Sequence, residues 1–172
     1  MKTLFVLRHA PASGPASAPT DFERPLSPRG RIQAVDIGTK MLEQGLDFEA
    51  ILASPARRVV ESISGLLEGA GSALEPMYDP RAYNASPEVW SEIVRGADDR
   101  FDRLLIVGHN PGLQLLLLDL AGDDRDGLRD EVAASYPTAT LTQLCLAIGR
   151  WRDVGPRSGS IVSLVRPRDD EA

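Results

Sequence analysis

A short run of apolar and β-branched residues, Thr3-Leu4-Phe5-Val6-Leu7, leads straight into Arg8 and His9, and the chain then breaks into a Pro/Ala/Ser stretch. A continuous apolar run bounded by turn signals is the pattern of a strand covered on both faces, as in a parallel sheet. The polar pair then falls at the carboxyl end of that strand, where open α/β sheets bind their ligands. A second segment repeats the design: Arg103-Leu104-Leu105-Ile106-Val107-Gly108-His109-Asn110-Pro111. The chain has two histidines in all, and each caps one of these runs. A lone histidine at a strand end is more often structural than catalytic. Two so placed, from opposite halves of the chain, favour a shared site if both strands run parallel in one sheet.

Between these runs, strand and helix signals alternate. Residues Ala10 to Thr20 (APASGPASAPT) form a flexible loop without periodicity, directly after the first histidine, and loops in that position often carry function. Ser27 and Pro28 open a helix with Ile32, Val35, Leu42 and Leu46 as its apolar stripe and Gly45 as its stop. A short strand, Ile51 to Ala53, ends at Ser54-Pro55, again an N-cap followed by proline. The next helix gathers Val59, Val60, Ile63, Leu66, Leu67 and Ala70 on one side and ends at Gly69 and Gly71. Leu74 to Tyr78 is a further strand candidate, Ser86-Pro87 opens a third helix, and Asn110-Pro111 opens a fourth that runs through Leu120 to Gly122. Asp123 to Asp130 is charged and is expected to loop over the surface. Thr138 to Ile148 and Ser160 to Val165 are expected strands joined by an exposed turn, and the polar tail from Arg166 to Ala172 is expected to fray. The expected architecture is a three-layer α/β fold: a mainly parallel central sheet with helices on both faces and an antiparallel edge where the last two strands follow one another. No internal repeat is present, and one domain over residues 1–172 is expected.

Composition narrows the partners. At 172 residues, 42% of them hydrophobic, the chain can bury a proper core. A net charge of −6 and a pI near 4.9 argue against nucleic acid or an anionic membrane surface, while 19 Lys and Arg still allow a local anion pocket. The single cysteine, Cys145, excludes an intrachain disulfide and a cysteine-rich metal site, and its apolar setting suggests a buried structural thiol. The apolar stretch after Lys2 is too short for a signal peptide and is interrupted by Arg8; Leu115 to Leu118 is far below membrane-spanning length. The expected setting is cytoplasmic.

The chemistry follows from which strand ends coincide. After the first strand comes Arg8-His9, after the second Ser54-Pro55-Ala56-Arg57-Arg58, and after the later one Gly108-His109-Asn110. The second and third are also helix starts, whose free amides and dipole favour an anion. Arginines suit phosphoryl oxygens because the planar fork matches them and keeps its charge. There is no P-loop lysine and no Cys-x5-Arg, so a thiolate nucleophile is excluded. Two histidines without a cysteine or a carboxylate cluster make a poor metal site. A histidine acting as nucleophile on phosphorus remains.

Leu7-Arg8-His9-Ala10, Ser54-Pro55-x-x-Arg58 and Val107-Gly108-His109-Asn110 occur in the order and spacing of the histidine phosphatase superfamily, the phosphoglycerate mutase-like fold, and span nearly the whole chain. Any one of the three motifs would be weak alone. The short length, the stretch Asp21-x-x-Arg24-Pro25-Leu26-Ser27-x-x-Gly30 and the lack of a large insertion before Gly108 resemble the compact SixA-type branch. The resemblance implies that His9 takes the phosphoryl group, that Arg8 and Arg58 hold its oxygens, and that His109 donates a hydrogen bond to the transferring group. It matches Asp21 to the general acid, lets Arg24 add a contact at the pocket mouth, and implies neither cofactor nor metal. Spacing alone does not choose Arg58 over Arg57, since both lie off the apolar side of their helix, and Glu23 competes with Asp21 for the acid's role. Ala10 replaces the commoner glycine, and Glu61-Ser62 stand where many relatives carry Gln-Thr.

Three functions compete. The first is a metal-independent phosphatase with a phosphohistidine intermediate, acting on phosphohistidine in proteins. The second is the same machinery on a small phosphoester such as a sugar phosphate or nucleotide, favoured by a roofed pocket with aromatic or basic residues from Tyr83 to Trp90. The third is a phosphate-binding module without turnover.

Overall fold

The computed structural model describes residues 1–122 and 126–168. Six strands of these residues make one mixed sheet: β1 (Lys2–Arg8), β2 (Ala50–Ala53), β3 (Met77–Tyr78), β4 (Arg103–Gly108), β5 (Leu141–Leu146) and β6 (Gly159–Val165), in the order β3-β2-β4-β1-β5-β6. The first four positions run parallel, and β5 lies antiparallel to both β1 and β6. This is the expected mainly parallel sheet with an antiparallel edge. Along β1 and β4 the side chains alternate: Leu4, Val6, Leu104 and Ile106 face one apolar cluster, and Phe5, Leu7, Leu105 and Val107 face the other. A strand needs this double apolarity when helices cover both of its faces. Each wholly buried aliphatic side chain here contributes about 1.5–3 kcal/mol.

Helices α1 (Pro28–Glu43) and α2 (Arg57–Ala70) cover the Phe5 face; α3 (Pro87–Arg95), α4 (Gly112–Leu120) and α5 (Leu128–Ala134) cover the Leu4 face. The buried side of α1 is not the expected stripe. Ile32 and Leu42 are exposed, and the face is built from Gly30, Gln33, Ala34, Ile37, Gly38 and Met41. Small residues win because α2 comes very close: a methyl at Gly38 would overlap the Leu66 carbonyl, and one at Gly69 the Val35 carbonyl. Gly69 therefore lies inside α2, and left-handed Gly71 (φ 63°) ends the helix. Helix α5 occupies part of the segment expected as a surface loop, of which residues 123–125 lie outside the described residues. Cys145 is half-buried on β5 rather than in the core.

The base of the long loop after β1 is tied down. Ala12 bridges Leu26, Ser13 N donates to the Pro25 carbonyl, and the stretch from Gly14 to Ser17 is exposed. After β6 the chain returns along α1, where Lys40 Nζ donates to the Arg166 carbonyl at 2.5 Å and Arg168 N to Asp36 Oδ2 at 2.8 Å. The rest of the expected fraying tail, 169–172, lies outside the described residues. Among the described residues no helix is long and apolar enough to cross a membrane.

Candidate functional site

Register brings the two histidines together. Arg8 stands opposite Gly108 in the β1–β4 ladder, so His9 and His109 leave the sheet at the same level, and His9 N donates to the Gly108 carbonyl at 3.1 Å. Their ring centroids lie 5.3 Å apart with the planes at 60°. Strand β2 ends one position short of the same edge, with Ala53 opposite Val107 and Ser54 N donating to the Val107 carbonyl at 3.1 Å. Three strand ends and the first turn of α2 thus converge.

Each ring is held by a different kind of partner. His9 Nδ1 lies 2.7 Å from the Ala10 carbonyl, which can only accept, so the proton sits on Nδ1 and Nε2 carries the lone pair. Ala10 is fixed in turn, its N–H donating to Ser62 Oγ at 2.9 Å, while Glu61 Oε2 accepts from Leu26 N at 2.7 Å. The pair that replaces Gln-Thr therefore pins both ends of the loop that follows the histidine, at Ala10 and at Leu26. His109 Nε2 lies 2.8 Å from Ser54 Oγ, and its Nδ1 lies 3.3 Å from Arg58 Nη2. Burial pushes the His9 pKa down to about 4, with the nearby Arg58, Arg8 and Arg24 adding to the effect against the Ala10 bond; His109 falls to about 3, chiefly by burial and then by His9 and Arg58. Both rings are neutral near pH 7. A ring with a lowered pKa keeps its lone pair above that value and loses it below. Titration of His9 by NMR is expected to show a midpoint near 4; one near the ordinary 6.5 would mean a solvated ring.

The arginines are placed unequally. Arg58 is only 5% exposed: Nη1 donates to the Asp21 carbonyl at 2.8 Å and Nη2 to Asp21 Oδ2 at 3.1 Å. Arg57 projects outward and pairs with Glu61 at 3.6 Å, a solvated surface charge. Arg8 gives Nη1 to the Tyr136 carbonyl at 2.9 Å, and Asn110 Nδ2 donates to that same oxygen at 3.0 Å. Arg8 Nε is buried without a hydrogen-bond partner among the described residues, a donor left for a ligand to satisfy. Arg24 donates from Nε and Nη2 to the Ser13 carbonyl at 3.0 and 2.8 Å and from Nη1 to Asp21 Oδ1 at 2.9 Å, so it braces the loop and Asp21 together.

Asp21 faces the cluster, while Glu23 accepts from Thr20 Oγ1 at 2.8 Å. Asp21 Oδ2 also accepts from Tyr83 Oη at 2.6 Å. The Tyr83 bond, joined by those from Arg24 and Arg58, holds the Asp21 carboxyl well below the ordinary carboxylate range. Tyr83 stands edge-on to His109 at 5.5 Å and to Phe22 at 5.1 Å, forming one wall of the mouth. No motif announced Tyr83, Tyr136 or the contact between Ser54 and His109. Among the described residues no three His, Cys, Asp or Glu side chains gather as a metal site.

No family model matches the chain. An uncharacterized protein of Mycobacterium tuberculosis (strain H37Rv) is 29% identical over 165 residues, covering 94% of this chain and 100% of the relative. An uncharacterized protein of Picosynechococcus is 30% identical over 113 residues, 64% of this chain and 67% of the relative, and the chain belongs to that protein's family. Among solved structures, the SixA protein of Agrobacterium tumefaciens superposes with a TM-score of 0.81 at 22% identity, covering 96% of this chain and 98% of that one. The protein histidine phosphatase SixA complexed with tungstate gives 0.76 at 17% identity, with 96% and 97% covered. The mycobacterial glucosyl-3-phosphoglycerate phosphatase gives 0.60 at 18% identity, with 93% and 96% covered. The chain has the histidine phosphatase fold. Its form of that fold is the compact SixA type, matched over almost the full length of both chains.

Proposed function

We propose that this chain is a phosphatase that passes a phosphoryl group through His9 to water without a metal ion, and that its substrate is phosphohistidine in a protein. The observation that carries the reading is the Nδ1 bond from His9 to the Ala10 carbonyl at 2.7 Å, which leaves Nε2 as the ring's nucleophilic nitrogen beside a second imidazole and a buried arginine. In the first half-reaction the Nε2–P bond forms and the bond from phosphorus to the leaving nitrogen or oxygen breaks, the leaving group taking a proton from Asp21. In the second, water attacks phosphorus, gives its proton to Asp21, and releases phosphate and free His9. Arg58, Arg8 and His109 hold the equatorial oxygens, and Arg24 sets the position of Asp21.

The open mouth supports a protein substrate. Asp21 is 46% and Phe22 38% exposed, and beside them lies a shallow groove lined by Phe22, Glu23, Pro55, Arg57 and Val60. The small-phosphoester reading has one observation in its favour, the aromatic wall made by Tyr83, whereas Trp90 is buried in the core. A competition assay separates them. Purified protein is offered a phosphohistidine-bearing phosphocarrier together with sugar phosphates and nucleotides, with and without EDTA. The expected result is a larger kcat/KM on the phosphocarrier and no effect of chelator. Preference for one small ester would establish the second reading, and chelator-sensitive turnover would end the metal-free mechanism.

A further inference from the structure

The two histidines differ in what their second nitrogen faces. His9 is bonded to a backbone carbonyl, a pure acceptor, and is locked in one tautomer. His109 instead meets the hydroxyl of Ser54, a wholly buried side chain just beyond β2. A hydroxyl can accept through its lone pairs or donate through its own proton. In the structure Arg58 settles which it does. A guanidinium only donates, so its contact with Nδ1 makes that nitrogen the acceptor, places the ring's proton on Nε2 and makes Ser54 Oγ the acceptor from it. Ser54 Oγ also accepts from Ala56 N at 3.2 Å, which leaves its own proton available for another direction.

Resting on the phosphoryl-seat reading above, this arrangement is the reverse of what a filled seat requires. A phosphoryl oxygen needs a donor from His109. The nitrogen on the Arg58 side, Nδ1, carries a lone pair in the structure, and like faces like if nothing changes. We propose that Ser54 is the positioning residue that lets His109 exchange tautomers. In the empty site it accepts from Nε2–H; when a phosphoryl group takes Arg58 over, its hydroxyl turns and donates to Nε2, so that Nδ1–H faces the phosphoryl oxygen. The ring gives up one proton at Nε2 and gains one at Nδ1 by exchange with water, and stays neutral throughout. A carbonyl or a carboxylate in the place of Ser54 would hold the proton on Nε2 permanently. A methyl there would leave Nε2 without a partner in a buried place.

The test uses protein labelled with 15N at histidine, in which two residues supply every ring signal. Long-range 15N spectra are recorded with and without tungstate, and the His9→Ala variant assigns the peaks. The expected result is a neutral Nε2–H ring at His109 without tungstate and a neutral Nδ1–H ring with it. Ser54→Ala is expected to lose the exchange and to lower kcat about 10- to 100-fold, less than removing a transition-state donor outright, with KM little changed; Ser54→Thr is expected to restore both. An unchanged tautomer in tungstate-bound protein, a doubly protonated ring, or a normal exchange in Ser54→Ala overturns the proposal while leaving the seat intact. Failure of tungstate to bind or to move the His9 signals overturns the seat and the proposal with it. The unsubstituted protein answers the tautomer question even if Ser54→Ala does not fold.

Discussion

Replacing His9 with alanine is expected to remove turnover of both a phosphohistidine carrier and an aryl phosphate, by roughly 10^4-fold or more, the scale at which enzymes lose rate when their nucleophile is deleted. Among the described residues no other free imidazole stands at the seat. His109 is the remaining histidine, and its two nitrogens are engaged by Ser54 and Arg58. The arginines have no lone pair to offer, and Asp21 is tied to Tyr83, Arg24 and Arg58. The variant should still fold. Its backbone bonds from His9 N to Gly108 and from Ala139 N to the His9 carbonyl do not involve the side chain. It should also still bind tungstate, since Arg8 and Arg58 remain. Rapid quench with labelled substrate gives the positive counterpart, an acid-labile, base-stable phosphoenzyme in the unsubstituted protein and none in the variant. A His9→Ala protein that keeps full rate would refute covalent catalysis at this position.

The sheet edge was legible because its signal is periodic and local. Two apolar runs of strand length, each ending in a histidine, leave little freedom once both are parallel members of one sheet, and the β1–β4 register followed. The antiparallel edge was legible for a similar reason, since β5 and β6 have no helical pattern between them. Where two helices touch, hydropathy pointed the wrong way. The stripe through Ile32 and Leu42 is more apolar than Gly30, Ala34 and Gly38, but close approach of α2 selects small residues over large ones.

The helical wheel failed at Arg58 for a geometric reason. It places Arg58 away from Val59 and Ile63, yet the first turn of α2 overhangs the sheet edge, so the side that leaves the core enters the site. Ser54 was expected to cap α2. The helix instead begins at Arg57 with Ala56 as its N-cap, and the serine hydroxyl serves His109. Tyr83 and Tyr136 reach the site from irregular segments, by one hydroxyl and one backbone carbonyl, and neither contact leaves a trace in periodicity or spacing.

Asp21→Asn is expected to split its effect by leaving group. An alkyl phosphate or a phosphohistidine needs a proton on its departing atom, and loss of a positioned acid there should lower kcat/KM by about 10^2- to 10^4-fold. A nitrophenolate leaves without help, and its rate should fall by less than about tenfold. The difficulty is that Asp21 is anionic in the empty site, held so by Tyr83 first and by Arg24 and Arg58 as well, and an anion donates no proton. The geometry resolves it. Asp21 Oδ2 and backbone carbonyl occupy Arg58 in the way a phosphoryl oxygen would, so an entering dianion competes for that guanidinium. Once Arg58 turns to the phosphoryl group, Asp21 loses a cationic partner and stands beside a new negative charge, and both changes raise its pKa toward the range of an acid. The same competition makes a second outcome measurable. With asparagine at this position Arg58 has no rival anion, so inorganic phosphate should inhibit the variant more tightly than the unsubstituted protein. Equal rate losses on both leaving groups, with phosphate inhibition weakened, would instead mean that Asp21 serves to hold Arg58 in place and that the proton comes from elsewhere.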